Sequence, residues 1–325
     1  MKLTRAVLAA ALLAPRTLIA QNGGPYAPII LLLPSGPRTL ALGNTGVASR
    51  DDDVLFFNPA QLAIARGFSG SLERYSAHAS GGTLSAVTRL ATGGVAVGMQ
   101  MADYELPPDL YPPDRGTMLP AGLANGTSVE AIAGLAQVFK GYRLGVAGKY
   151  VEDNVPAIRV SRFAADLGAS KEFFGPYTFA LAVQNLGSSM TVPCAIARQA
   201  AAGTSDCVPT PGLPPSLQFT SARLPLRTTF GVATGQPVGA FDVVATAAVY
   251  ALRANWLGAS GGAELGYSWL DGYSVALRAG ARRPLAGESA FTAGVGFNMD
   301  RLSIDYALET LAGSRVGQRI GLRIR

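Results

Sequence analysis

A chain of 325 residues that is 49% hydrophobic but only 15% charged cannot face water on all sides, because soluble domains carry about 25% charged residues. No run of about 18 apolar residues occurs, which excludes a bundle of membrane-spanning helices. A closed β-barrel meets both facts, since its lipid face is apolar but interrupted at every second residue.

The chain opens as an export signal over residues 1–20. Lys2 and Arg5 form a basic start, residues 6–14 a short apolar stretch, and a cut after Ala20 frees Gln21. Export removes nucleic acid as a partner for the net charge of +6, so the excess basic residues are expected in the lumen and at the membrane rims. Residues 21–66 follow as a separate N-terminal segment, rich in Pro and Gly at first. Its dense part is 37–65. There Gly43 and Gly46 bracket the turn Asn44-Thr45, Asp51, Asp52 and Asp53 form an acidic cluster, and Asn58-Pro59-Ala60 reads as a helix start that Gly67 closes. Asn58 suits a cap, and Pro59 suits the first helical position, where its missing N–H costs nothing.

From residue 67 to 325 the chain alternates. Fourteen segments are expected: 67–77, 82–91, 94–103, 127–140, 142–152, 162–173, 176–186, 224–234, 241–252, 261–270, 273–283, 290–299, 301–311 and 315–325. Each approaches the ~9–11 residues of a tilted barrel strand. Val95, Val97, Met99 and Met101 oppose Ala96, Gly98, Gln100 and Ala102, and Leu302, Ile304, Tyr306 and Leu308 oppose Ser303, Asp305, Ala307 and Glu309. This period of two, with one apolar face, marks strands, and the apolar face is assigned to lipid. The connections then sort by side. One side has short turns, among them Asp271-Gly272, a strong hairpin signal; the other has 104–126, 153–161, 187–223 and 253–260. Outer-membrane barrels have short periplasmic turns and long outer loops, so 104–126 and 187–223 are expected outside. Cys194 and Cys207 share the second of these loops. A disulfide between them would close a short loop worth about 3 kcal/mol in an oxidising compartment.

Few residues suggest chemistry. Gly258-Ala259-Ser260-Gly261-Gly262 matches a nucleophile elbow, but that chemistry needs a base and a strand-turn-helix setting. The sole histidine, His78, lies upstream, and 258–262 reads as a flexible loop entering a strand. The expectation is therefore no enzyme, no catalytic residues, no metal and no cofactor. Asp51–Asp53 could attract a cation, cap local turns or pair with lumen arginines. The inward faces carry Arg143, Lys149, Glu264, Arg278, Arg282, Asp305, Glu309, Arg319 and Arg323, either a structural ladder of paired charges or the lining of a polar path.

LLLPSGPRTLALGNTGVA followed by an Asp-rich step and FFNPAQLA, around residues 34–63, resembles the PorV/PorQ-type outer-membrane proteins, which are associated with type IX secretion and related to the FadL-like barrels. LPLRTTFGVA at 224–233, GGAELGY at 261–267, YSVALRAGARR at 273–283 and RIGLRI at 319–324 extend the likeness. The family's usual second Gly after Leu42-Gly43 is here Asn44, and its usual terminal aromatic is Arg325. The resemblance implies an all-β, membrane-spanning, antiparallel up-and-down barrel of about 14 strands over 67–325 in the cell outer membrane. It also implies that the N-terminal segment folds into the lumen as a hatch. The hatch residues would be Arg38, Gly43, Gly46, Asp51, Asp52, Asp53, Asn58 and Pro59. Two roles follow. The first is a component or docking partner in protein secretion and surface assembly, with secretion-machinery proteins or secreted substrates at the outer loops. The alternative is a FadL-like channel for hydrophobic small molecules.

Overall fold

The computed structural model describes residues 28–50, 53–76, 79–105, 125–155, 158–193, 219–252, 256–283, 290–311 and 315–325. The export signal, Asp51 and Asp52, His78, most of 104–126 and of 187–223, and with the latter Cys194 and Cys207, lie outside these residues.

All fourteen alternating segments are strands of one closed antiparallel barrel. In chain order they are β1 (Gly67–Ser76), β2 (Ala79–Leu90), β3 (Gly93–Glu105), β4 (Asn125–Phe139), β5 (Tyr142–Val155), β6 (Ile158–Phe173), β7 (Tyr177–Gly187), β10 (Arg227–Val238), β11 (Phe241–Leu252), β12 (Trp256–Leu270), β13 (Tyr273–Arg282), β14 (Phe291–Met299), β15 (Leu302–Leu311) and β16 (Arg315–Ile324). Each strand pairs with its neighbour in sequence, β7 pairs with β10, and β1 closes on β16 with Phe68 opposite Ile324. Two short strands, β8 (Met190–Pro193) and β9 (Phe219–Ala222), pair with each other outside the wall. Among the described residues no helix is long and apolar enough to cross a bilayer; the crossing is made by strands.

Several boundaries differ from the sequence expectation. Residues 224–226 precede β10, which starts at Arg227 and runs on to Val238, so that turn shrinks to Gly239-Ala240. The stretch 256–260 is not a loop. β12 begins at Trp256, and the Gly258–Gly262 run is fully paired with β11, Ala259 opposite Val249. Gly, Ala and Ser carry too little side chain to show alternation, so a ladder made of them is invisible to a hydropathy pattern.

The faces sort as expected for lipid outside. Val97 is 60% exposed and Leu72 72%, whereas Ala96 and Gln100 on the opposite face are buried. One rim carries an aromatic belt, including Trp269 stacked on Phe297 at 5.8 Å and Phe241 beside Tyr267 at 5.6 Å. Lys171 lies 3.8 Å from the Tyr142 ring centre on the same rim. Aromatic girdles with basic side chains at the headgroup level mark the edge of an outer-membrane barrel's apolar band, and this chain is an outer-membrane β-barrel.

The segregated connections predict an orientation that labelling can check. In a background with Cys194 and Cys207 replaced by Ser, Asn125→Cys at the start of β4 should react with an impermeant thiol reagent in intact cells, and Gly272→Cys in the β12–β13 turn should not. The reverse pattern would invert the barrel.

Candidate functional site in the barrel lumen

Residues 28–50 and 53–65 do not hang from the barrel; they pack inside it. One short helix, α1 (Pro37–Ala41), and four 3-10 turns at Ile29–Leu31, Gly46–Ala48, Val54–Phe56 and Pro59–Ala63 fold into a plug. Pro37 sits at the first helical position, where its fixed φ favours the helix. The end of α1 explains Gly43. Its φ is +72°, the Gly43 N–H donates to Leu40 O at 2.9 Å, and the Asn44 N–H donates back to Thr39 O at 2.8 Å. This is the left-handed closure that glycine alone adopts without strain. Gly43 also lies against the wall: a Cβ there would stand 2.7 Å from both Ala281 O and Gly261 O. Gly46 has a different reason, since a Cβ would meet the Phe57 ring.

Asn58 caps the last turn as expected, accepting from Ala60 N at 3.0 Å, while its amide donates to Val47 O at 2.9 Å and joins the two halves of the plug. Gly67 does not close that turn. The turn ends at Ala63, and Gly67 opens β1. Asp53 is buried, and its Oδ2 accepts from Thr39 Oγ1 at 2.5 Å, a bond within the plug.

The wall makes room for the plug with glycines. A Cβ on Gly262 would come within 2.6 Å of Leu42 Cα, and one on Gly145 within 2.5 Å of Pro59 O. Leu40, Val54, Leu55 and Leu62 are fully buried where the plug meets small wall residues such as Ala96, Ala136, Ala147 and Ala307. Burying each of these side chains contributes about 1.5–3 kcal/mol.

The nine inward charges named from the sequence all reach the lumen, in two groups. On the β12–β16 side, Arg38 of the plug makes a two-pronged bond to Glu264, at 2.8 Å from Nε and 2.8 Å from Nη2. Arg278 also donates to Glu264 and, at 2.6 Å, to Asp305, which accepts from Arg323 at 2.8 Å. Further along, Arg282 bonds Glu309, and Arg319 lies 3.3 Å from Glu73 and donates to Pro34 O of the plug. Across the barrel, Arg143 meets Glu172 at 3.0 Å, and Glu172 also holds Arg50 at 2.9 Å.

Lys149 belongs to a cluster that sequence reasoning named only in part. Its ammonium stands 2.9 Å from Asp166 and 3.1 Å from Glu130, and donates to Asn185 Oδ1 at 3.3 Å. Asn185 enters because β7 bulges. The pairing steps from Leu167–Val183 to Ala165–Leu186, Asn185 adopts φ +61°, and two consecutive residues, Gln184 and Asn185, both face inward. A strict period of two would put one of them in lipid. Glu130 and Asp166 did sit on inward faces and could have been found by extending the alternation.

Between plug and cluster lies a cavity of about 20 Å³, counted as space open to the centre of a water-sized sphere. Leu31, Leu33, Phe56 and Phe57 of the plug line one side; Gln100, Lys149 and Arg227 of the wall line the other, with Asn44 at the seam. That volume holds about one water.

No family model matches the sequence, and no curated protein matches it. Solved structures do. The Ralstonia pickettii toluene transporter TbuX superposes with a TM-score of 0.51 at 12% identity, over 94% of this chain and 100% of that one. The Pseudomonas putida toluene transporter TodX gives 0.54 at 11% identity, over 90% and 97%. A Pseudomonas aeruginosa FadL homologue gives 0.52 at 13% identity, over 95% and 98%. The chain has the fold of the FadL-like outer-membrane barrels. At such low identities the likeness concerns the fold, and it gives the PorV/PorQ resemblance no particular support.

Proposed function

We propose that the protein passes hydrophobic small molecules across the outer membrane, with residues 28–65 as the hatch that shuts the lumen at rest. The observation that carries this reading is the seam between plug and wall. There the side chains of Leu31, Leu33, Phe56 and Phe57 meet Gln100, Glu130, Lys149 and Gln184 around a space for about one water, so a solute that shifted the plug would meet apolar groups beside a polar wall. Fourteen strands leave an interior wide enough for a solute once it is cleared. The fold-mates named as toluene transporters point the same way. This reading includes no catalytic step. The other role, docking in protein secretion, rests on the likeness around residues 34–63. The residues there that the structure describes cap turns and pack the plug, work that any plugged barrel requires.

The test uses N-phenyl-1-naphthylamine, an apolar dye that the outer leaflet excludes and that fluoresces in phospholipid. Cells with the folded protein in their outer membrane should take it up several-fold faster than cells without it, with no faster entry of a large hydrophilic antibiotic. Equal dye uptake at matched expression would sink the channel reading.

A further inference from the structure

We infer that the lipid-facing wall of β4–β7, at the rim of the short turns, binds one acidic phospholipid. Lys140 and Lys171 hold its phosphate, and its acyl chains lie along the leucines of the same face. The inference is independent of the channel reading. Three observations carry it.

The first is a pair of lysines seated on aromatic rings. Lys171 lies on the lipid face of β6, 3.8 Å from the Tyr142 ring centre and 4.8 Å from that of Phe173. Lys140, in the β4–β5 turn, stands 5.4 Å from the ring centre of Phe139, and Phe139 is opposite Tyr142 in the ladder. Ring faces attract a cation without using up the N–H donors of an ammonium, of which each lysine has three.

The second observation is that no protein acid claims these donors. Among the described residues neither lysine has an ion pair. Glu172, next to Lys171 in the chain, points into the lumen toward Arg143 and Arg50. Glu130, Asp153 and Asp166 are buried, and Glu152 pairs with Arg159 at the far end of β5. The lipid face thus carries positive charge that the protein does not neutralise, at the level of the headgroup phosphates. Phosphate oxygens would accept charge-assisted bonds there. The third is the surface beside the lysines. Leu144, Leu167 and Leu181 are exposed on the outward faces of β5, β6 and β7 and lead from the rings toward the middle of the apolar band. A zwitterionic lipid would bring its own ammonium up to two lysines. An acidic lipid such as phosphatidylglycerol would not, so the site favours net negative charge.

Native mass spectrometry of the full folded protein, released from detergent micelles, tests the assignment. The probes are dioleoyl phosphatidylglycerol and dioleoyl phosphatidylethanolamine at equal concentration. The parent should retain one phosphatidylglycerol about tenfold more often than one phosphatidylethanolamine. Lys171→Met should lower that preference about fivefold, the factor expected for one basic residue at a lipid surface. Lys171→Arg keeps the charge and the ring contacts and should preserve the preference. Lys140→Asn, which suits the φ of +50°, should weaken it, and the double variant Lys140→Asn, Lys171→Met should bind both lipids equally. Both side chains point out of the wall, so these changes leave the interior packing alone. Arg301→Gln removes a cation elsewhere on the same rim and should change nothing. Equal retention of the two lipids by the parent, or an undiminished preference in the double variant, overturns the inference. So does a loss in Arg301→Gln as large as that in Lys171→Met, which would mean diffuse rim charge and not a site.

Discussion

Glu264→Leu is expected to cost about 3–5 kcal/mol of folding stability, because it takes a carboxylate out of a desolvated cluster and leaves its cationic partners behind. Glu264 accepts from Arg38 at 2.8 Å through both its oxygens and also from Arg278, so two guanidinium groups share one acid. The Arg278 side chain is only 2% exposed and retains Asp305, a carboxylate it shares with Arg323. The substitution therefore loosens the plug and charges the wall in one step. Urea titration in lipid, read by the shift between folded and unfolded mobility on a gel, measures the loss. Glu152→Gln is the control: Glu152 pairs with Arg159 at 2.7 Å at the solvent-facing end of β5 and β6, and it should leave the midpoint where it was. A Glu264→Leu midpoint equal to that of the parent would show that the Arg38 contact does not hold the plug.

The barrel was legible in the sequence because one face of every strand must satisfy lipid. That requirement leaves a period of two in Val95–Met101 or Leu302–Glu309 that no loop would keep. It failed where side chains are too small to register, as at Gly258–Gly262, and where the ladder itself breaks step, as at Gln184-Asn185. The plug was legible as turn chemistry: Gly43, Asn58 and Pro59 do what their types predict. Its contacts were not. Gly145 and Gly262 gave no sign of the plug segments they meet, because a glycine records only that something lies close and never what it is. The same property kept the cargo out of reach. Residues that cap and closely pack a plug are needed whether the barrel secures a partner protein or passes a solute, so the likeness around residues 34–63 could not separate the two. What bears on cargo is the cavity lining, and it is assembled from residues far apart in the chain, from Leu31 to Arg227.

Removal of the plug should turn a shut barrel into an open pore. Deleting residues 38–65 takes away Leu40, Val54, Leu55 and Leu62, all fully buried against the wall, together with the Arg38 anchor. The wall they leave is paved with Gly and Ala inside and carries its lipid face on the outside. Closure of the barrel depends on the β1–β16 pairing from Phe68–Ile324 to Arg74–Gln318, to which the deleted residues contribute nothing. Once cleared, the lumen fills with water, as in barrels of similar strand number that serve as channels. Single-channel recordings in planar bilayers should show the parent silent or flickering and the deletion protein conducting steadily at a much higher level. Gly262→Val offers a milder version should the deletion leave no folded barrel to record. Its new Cβ would come within 2.6 Å of Leu42 Cα, so the plug must lift from β12 while the strand, rich in Gly and Ala there, gains a β-branched residue it tolerates well. Openings should then appear more often than in the parent without reaching the full conductance of the deletion. A folded deletion protein as silent as the parent would mean that residues 38–65 do not shut the pore, and the closure would have to be sought in the outer loops.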